Sequence, residues 1–153
     1  VDRLYEAGCD DALIGIGKRG RIALDFSREA DSAEQALLSA INNVKQAIPD
    51  AVFIEATPDF VGVPDIANVL GVSRQYIGKI VAQHASRLPP PAHAGARDVW
   101  HLETMLRWLV ERGLREVDTT LIEISRANMR LNHARERSHF ADEIPDTLMQ
   151  AVR

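Results

Sequence analysis

Residues 63–81 constrain the fold of this chain more than any other segment, because their pattern predicts two short helices joined by a tight turn. Pro64 suits a first helical turn, where its missing N–H would have no partner. Gly71 follows the last apolar residue of the first helix and allows the left-handed backbone that ends many helices. Ser73 offers a hydroxyl that can cap the second helix. The residues expected to hold the two helices together are Ile66, Ala67, Leu70, Ile77, Ile80 and Val81.

The second helix, expected over residues 74–85, has a predicted exposed face that is rich in donors and free of acids. Its residues are Arg74, Gln75, Tyr76, Lys79 and Gln83. Base edges in the DNA major groove and the flanking phosphates both accept hydrogen bonds from such side chains. Gly78 is a poor helix former in mid-helix. Either it lets the helix approach DNA closely, or a neighbouring side chain needs the space.

Together with the residues that follow, this segment resembles the excisionase-like branch of the MerR superfamily of bacterial winged helices. The resemblance covers residues 61–112, including the Pro-rich stretch 87–91, Trp100 and a helix that contains Trp108. It implies a winged helix-turn-helix whose second helix lies in the major groove of double-stranded DNA. The residues expected to bind DNA are Ser73, Arg74, Gln75, Tyr76, Gly78, Lys79, Gln83 and Arg97.

These DNA-binding residues have different expected roles. Arg74 and Gln75, at the start of the helix, suit the base edges of guanine and adenine. Ser73, Tyr76 and Lys79 suit phosphates. Arg97 lies near the expected wing tip, where it either contacts a phosphate or the minor groove, or simply belongs to an exposed loop.

The charge of the chain is unevenly distributed. The net charge is −4, yet residues 61–115 carry 7 basic and 4 acidic side chains, whereas residues 1–60 carry 6 and 11. Local potential matters more than net charge for phosphate contact. Because the excess of +3 in the middle segment is modest, we expect DNA to be bound by a dimer or together with a partner.

Residues 1–57 predict a separate α/β unit. The pattern gives a helix ending at Gly8, two strands over residues 12–16 and 21–26, a helix from Ser32 and a third strand over residues 51–56. This order corresponds to a ferredoxin-like split βαβ unit that lacks its first strand. Such a unit suits a protein partner or a small effector. The overall fold class is therefore predicted to be α+β, with a winged helix-turn-helix following this incomplete ferredoxin-like unit.

A helix expected over residues 115–139 follows the winged helix, and residues 140–153 form an acidic tail. The helix carries the 4, 3, 4, 3 spacing of a coiled-coil seam, which favours a homodimer. The predicted dimerisation residues are Val117, Leu121, Ile124, Asn128 and Leu131. The alternative is that this helix packs on its own domain, with Asn128 at the edge.

Several chemistries have little support in the sequence. Residues 15–20 match G-x-G-x-x-G, but a strand follows them, so a hairpin is favoured over a dinucleotide site. The five histidines have no metal-ligand spacing, and no catalytic residues, metal site or cofactor are predicted. Cys9 is the only cysteine, which excludes an internal disulfide and favours a reducing cytoplasm. No apolar stretch reaches the length of a membrane span.

The expected function is that of a dimeric, sequence-specific transcriptional regulator and not an enzyme. An excisionase-like role belongs to the same class. The alternative is a protein-interaction or assembly module, antitoxin-like or an adaptor, in which the helix-turn-helix is only a scaffold. The acidic overall charge is the best support for this alternative.

Overall fold

The computed structural model describes all residues, 1–153, and has an α+β fold with seven α-helices and two small antiparallel sheets. The chain divides into two compact units, Val1–Ile54 and Glu55–Arg153. The helix predicted over residues 115–139 and the tail belong to the second unit. None of the helices combines the length and apolar character that crossing a membrane requires.

The first unit consists of two helices and a β-hairpin. Its elements are α1 (Asp2–Glu6), β1 (Ala12–Lys18), β2 (Arg21–Phe26) and α2 (Ala33–Ala47). The two strands pair antiparallel, and Gly20 at the hairpin turn has a φ of 78°. Helix α2 begins at Ser32, as predicted, and the Ser32 hydroxyl caps it by accepting the backbone N–H of Gln35 at 3.1 Å.

The core of the first unit is small. Leu4, Cys9 and Ala47 are at most 5% exposed, and half-buried side chains from both strands and α2 pack around them. Burial raises the pKa of the Cys9 thiol. Arg28 ties the loops together by donating to both carboxylate oxygens of Asp11, to the Gly8 carbonyl and to the Ser39 hydroxyl. The hydrogen bonds and the ion pair of Arg28 therefore supplement a limited apolar core.

The third strand predicted over residues 51–56 is wrong, because this segment joins neither sheet. Alternating apolar residues favour an extended chain, but a strand also needs a neighbour with free hydrogen-bonding groups. Val52 is 82% exposed and Ile54 is 44% exposed. The first unit accordingly has only two strands, and the ferredoxin-like arrangement is not confirmed.

The second unit contains the predicted helix pair. Its elements are β3 (Phe60–Val61), α3 (Val63–Leu70), α4 (Arg74–Gln83), a 3₁₀ turn (Ala85–Arg87), β4 (Trp100–His101), α5 (Leu102–Glu111), α6 (Thr119–Phe140) and α7 (Asp146–Ala151). β3 and β4 form the second sheet. Ile66, Ile77, Leu102 and Leu106 are almost fully buried and join α3, α4 and α5 in one apolar core.

Residues 56–59, at the start of the second unit, are hydrogen-bonded to α6. The Asn132 amide donates to the Ala56 carbonyl and to Asp59 Oδ2, both at 2.8 Å, and Asn132 Oδ1 accepts the Ala56 N–H at 2.8 Å. Asp59 Oδ1 lies 2.7 Å from His101 Nδ1. We call Ala56, Asp59, His101 and Asn132 the Asn132 bridge. Ala56, Asp59 and Asn132 are buried, whereas His101 is half-buried. Every bond within the bridge joins residues far apart in sequence.

Candidate functional site

Helix α4 has one face buried in the core of its unit and one exposed face that is charged and polar. Ile77 is 1% exposed and Ile80 is 8% exposed, and both pack in the core of the second unit. The opposite side of the helix is solvent-exposed and carries Arg74, Gln75, Tyr76, Lys79 and Gln83, as predicted from the sequence. No acidic residue occurs in α4. The backbone dipole adds positive potential at the N-terminus, beside Arg74.

The start of α4 is fixed by its cap. The Ser73 hydroxyl accepts the N–H of Tyr76 at 3.1 Å, which leaves its own proton free to donate outward. Gly71 ends α3 with φ 65° and ψ 33°, in the left-handed region, as its position predicted. The Val72 N–H donates to the Ala67 carbonyl at 2.9 Å and closes the turn. These bonds and the Gly71 backbone angles set the direction in which Arg74 and Gln75 project.

Gly78 is half-buried on α4, one turn from Arg74 and Gln75 and next to the exposed Lys79. A Cβ built on Gly78 would meet no atom within 4 Å. Of the two sequence interpretations, a neighbouring side chain that needs the space is therefore not supported by the structure. The absence of a side chain leaves open space beside the backbone of α4 at this position.

Arg115, between α5 and α6, is a neighbour of this surface that the sequence analysis missed. Its guanidinium carbon lies 5.9 Å from the centre of the Tyr76 ring, a cation–π contact. Its Nε is buried and has no hydrogen-bond partner. No local pattern around Arg115 indicates this contact, because it depends on how α5 and α4 pack. It adds a cation at the edge of the α4 surface.

Arg97 belongs to a separate loop. His93 and Val99 exchange two backbone hydrogen bonds, of 3.1 and 3.0 Å, and close the loop of residues 94–98, in which Arg97 is exposed. Trp100 donates its indole N–H to the Pro89 carbonyl, and Trp108 donates to the Arg87 carbonyl. The two buried tryptophans thus fix the chain between α4 and this loop.

The predicted dimerisation residues of α6 lie in different environments. Val117 and Leu121 pack partly against the core of their own unit, and Leu131 is half-buried. Asn128 is 4% exposed and donates to the Pro58 carbonyl at 3.2 Å, whereas Ile124 is 40% exposed. The Asn128 amide therefore has a partner within its own chain. The homodimer stays a prediction.

No group of three or more His, Cys, Asp or Glu side chains in the structure is arranged to hold a metal ion. Comparison of the chain with models of protein families, with curated proteins and with solved structures gives no match. The case for a function therefore depends on the chemistry of the α4 surface and its surroundings.

Proposed function

We propose that this chain is a sequence-specific DNA-binding protein, a transcriptional regulator that acts as a homodimer. The observation that carries the proposal is the exposed face of α4, where donors and cations project without any acid from a helix anchored by Ile77 and Ile80. An α-helix fits the major groove of B-DNA, and its N-terminal residues commonly contact the bases.

The roles of the side chains follow from their positions on α4. Arg74 and Gln75 are exposed at the first helical positions, so they are assigned to base edges, with arginine favouring guanine and glutamine favouring adenine. Lys79 and Gln83, further along the helix, together with Tyr76 and the Ser73 hydroxyl, are assigned to the phosphates on either side. Gly78 allows the backbone to approach the DNA.

The surroundings of α4 fit a winged helix-turn-helix. α3 packs against α4 across a tight turn, and the loop closed by His93 and Val99 precedes β4. In this arrangement the loop is the wing, and Arg97 contacts a phosphate or the minor groove. Arg115, held over Tyr76, adds a further cation toward the DNA backbone.

Fluorescence anisotropy tests the proposal. The purified chain is titrated into a labelled duplex from the DNA upstream of its own gene and into a scrambled duplex of equal length, at two salt concentrations. We expect tighter binding to the upstream duplex, with affinity falling steeply as salt rises, because neutralised phosphates release counterions. If neither that duplex nor duplexes selected from a random library are preferred over the scrambled one, the proposal is wrong.

An assembly module is the second candidate, and the exposed apolar side chains of the first unit favour it. Leu13 is 75% exposed, Ile16 is 72% exposed and Val52 is 82% exposed. Exposed apolar side chains that form one contiguous patch suit a protein partner. The affinity of this chain for such a protein partner would depend only weakly on salt, whereas its affinity for DNA would fall steeply. Salt dependence therefore separates the two candidates.

A further inference from the structure

The hairpin of the first unit has two edges without a neighbouring strand. A bulge interrupts one of them, and the other is continuous. β1 and β2 form a sheet of only two strands, so each strand has one side without a strand neighbour. The register shifts between Gly15 and Lys18, so that Ile16 and Gly17 of β1 oppose Ile22 alone. A bulge of this kind twists an edge away from further pairing. β2 has no such interruption and is the edge suited to accept another strand.

The backbone groups available on β2 follow from its pairing with β1. The Ser27 N–H donates to the Asp11 carbonyl at 3.0 Å, which identifies Asp11 and Ser27 as a hydrogen-bonded pair. Such pairs alternate along an antiparallel ladder. Asp25 and Ala23 therefore bond to β1, whereas the N–H and C=O groups of Ile22 and Leu24 point to the free side.

A second copy of β2 can form hydrogen bonds with these outward N–H and C=O groups. One register of the two strands is favoured over the others. In an antiparallel pair centred on Ala23, Ile22 faces Leu24 of the other copy. The outward N–H and C=O groups of these two residues then hydrogen-bond to each other. The same register places Arg21 opposite Asp25 twice, once at each end. Opposite charges that face each other across strands stabilise a pair. Within its own chain, neither Arg21 nor Asp25 forms an ion pair.

We infer that two copies of this chain associate through their β2 strands, in the antiparallel register centred on Ala23, to form a continuous four-stranded sheet. The partner's strand also covers Ile22, which is 42% exposed in the single chain. Two neighbouring registers, centred on Ile22 or on Leu24, also pair the outward backbone groups. In neither of them does Arg21 face Asp25 of the other copy. The association uses the first unit alone and does not depend on binding of DNA.

A cross-linking experiment tests the register directly. The full chain carries Cys9→Ala together with Ala23→Cys, and the matched control carries Cys9→Ala with Leu13→Cys, an exposed position on the same face of β1. Residues that face each other in a non-hydrogen-bonded pair have Cα atoms about 4.5 Å apart, within the range of a disulfide. We expect mild oxidation to link two Ala23→Cys chains and to leave Leu13→Cys chains mostly single. Equal cross-linking of both variants, or none at Ala23→Cys, overturns the inference.

Charge reversal tests the same register without introducing a disulfide between the two copies. Sedimentation equilibrium is measured for Arg21→Asp, for Arg21→Asp/Asp25→Arg and for the turn control Arg19→Asp, and circular dichroism establishes that each variant is folded. We expect Arg21→Asp to weaken the dimer roughly tenfold, because two attractive pairs become repulsive. The double variant restores the dimer, and Arg19→Asp leaves it nearly unchanged.

Three results contradict the inference. The first is a wild-type chain that stays monomeric at the highest concentration tested. The second is a dimer in which hydrogen exchange shows the Ile22 and Leu24 amides to be unprotected, since the free edge of β2 is then not part of the interface. The third is a dimer that ignores Arg21→Asp but dissociates with Ile124→Lys, because α6 would then form the interface.

Discussion

At the scale of single residues, Gly78 is the position where stability and the proposed function oppose each other. The glycine costs helix stability, yet the structure shows open space where a Cβ would lie. Gly78→Ala is therefore expected to stabilise the second unit by up to about 1 kcal/mol. It is also expected to weaken DNA binding, since the new methyl group stands between the helix backbone and the groove. Thermal unfolding and anisotropy measure the two effects, and unchanged DNA affinity would remove the proposed role of Gly78.

Asp11 and Arg28 predict a pH dependence of the first unit. Two hydrogen bonds from the Arg28 guanidinium, at 2.7 and 2.8 Å, lower the pKa of the Asp11 carboxyl. A carboxyl with a lower pKa in the folded state stabilises the fold above its unfolded pKa of about 3.9, and this stabilisation is lost as the pH falls through the folded value. Acid titration followed by circular dichroism is expected to show this loss.

The matched variants for this prediction are Asp11→Asn and Asp10→Asn. Asp11→Asn is expected to be less stable than the wild type at neutral pH and to lose less stability on acidification. Asp10 is exposed and bonds to no side chain, so Asp10→Asn is expected to lose stability in acid as the wild type does. The prediction would fail if the two variants behaved alike.

At the scale of elements, the Asn132 bridge ties the N-terminal end of the second unit to α6. Asn132→Ala removes three hydrogen bonds and leaves the buried Asp59 carboxylate and the Ala56 backbone groups with fewer partners. We expect a loss of roughly 2–4 kcal/mol in the free energy of unfolding. Urea denaturation measures it, with the exposed Asn68→Ala as the control. A loss no larger than in the control would show that the bridge contributes little.

The elements show which parts of the fold were predictable from the sequence. α3, α4 and their turn were predicted almost to the residue, because Pro64, Gly71 and Ser73 act locally through caps and backbone angles. The strand over residues 51–56 was wrong because a strand depends on a distant partner. The α4 surface follows from helical periodicity, whereas Arg115 and the Asn132 bridge depend on contacts between distant segments, for which a single sequence gives no signal.

At the scale of the whole molecule, charge and assembly determine how the proposed function is carried out. The net charge of −4 repels DNA at long range, and the excess of positive charge in residues 61–115 is small. Two copies bound to one duplex double the number of phosphate contacts and steepen the dependence of affinity on salt. We expect Arg21→Asp, which weakens the proposed β2 pairing, to lower this salt dependence although it lies far from α4 in the sequence. An unchanged salt dependence would show that pairing of the first units is not needed for DNA binding.

The most direct test of the central claim compares Arg74→Ala with wild type on two duplexes, the one bound most tightly and a scrambled one. Arg137→Ala, an exposed arginine on α6, is the matched control. If α4 reads the bases, Arg74→Ala costs about 1–3 kcal/mol on the preferred duplex and much less on the scrambled one, while Arg137→Ala changes neither. Equal losses for Arg74→Ala on both duplexes, or no loss on either, would contradict base reading by α4.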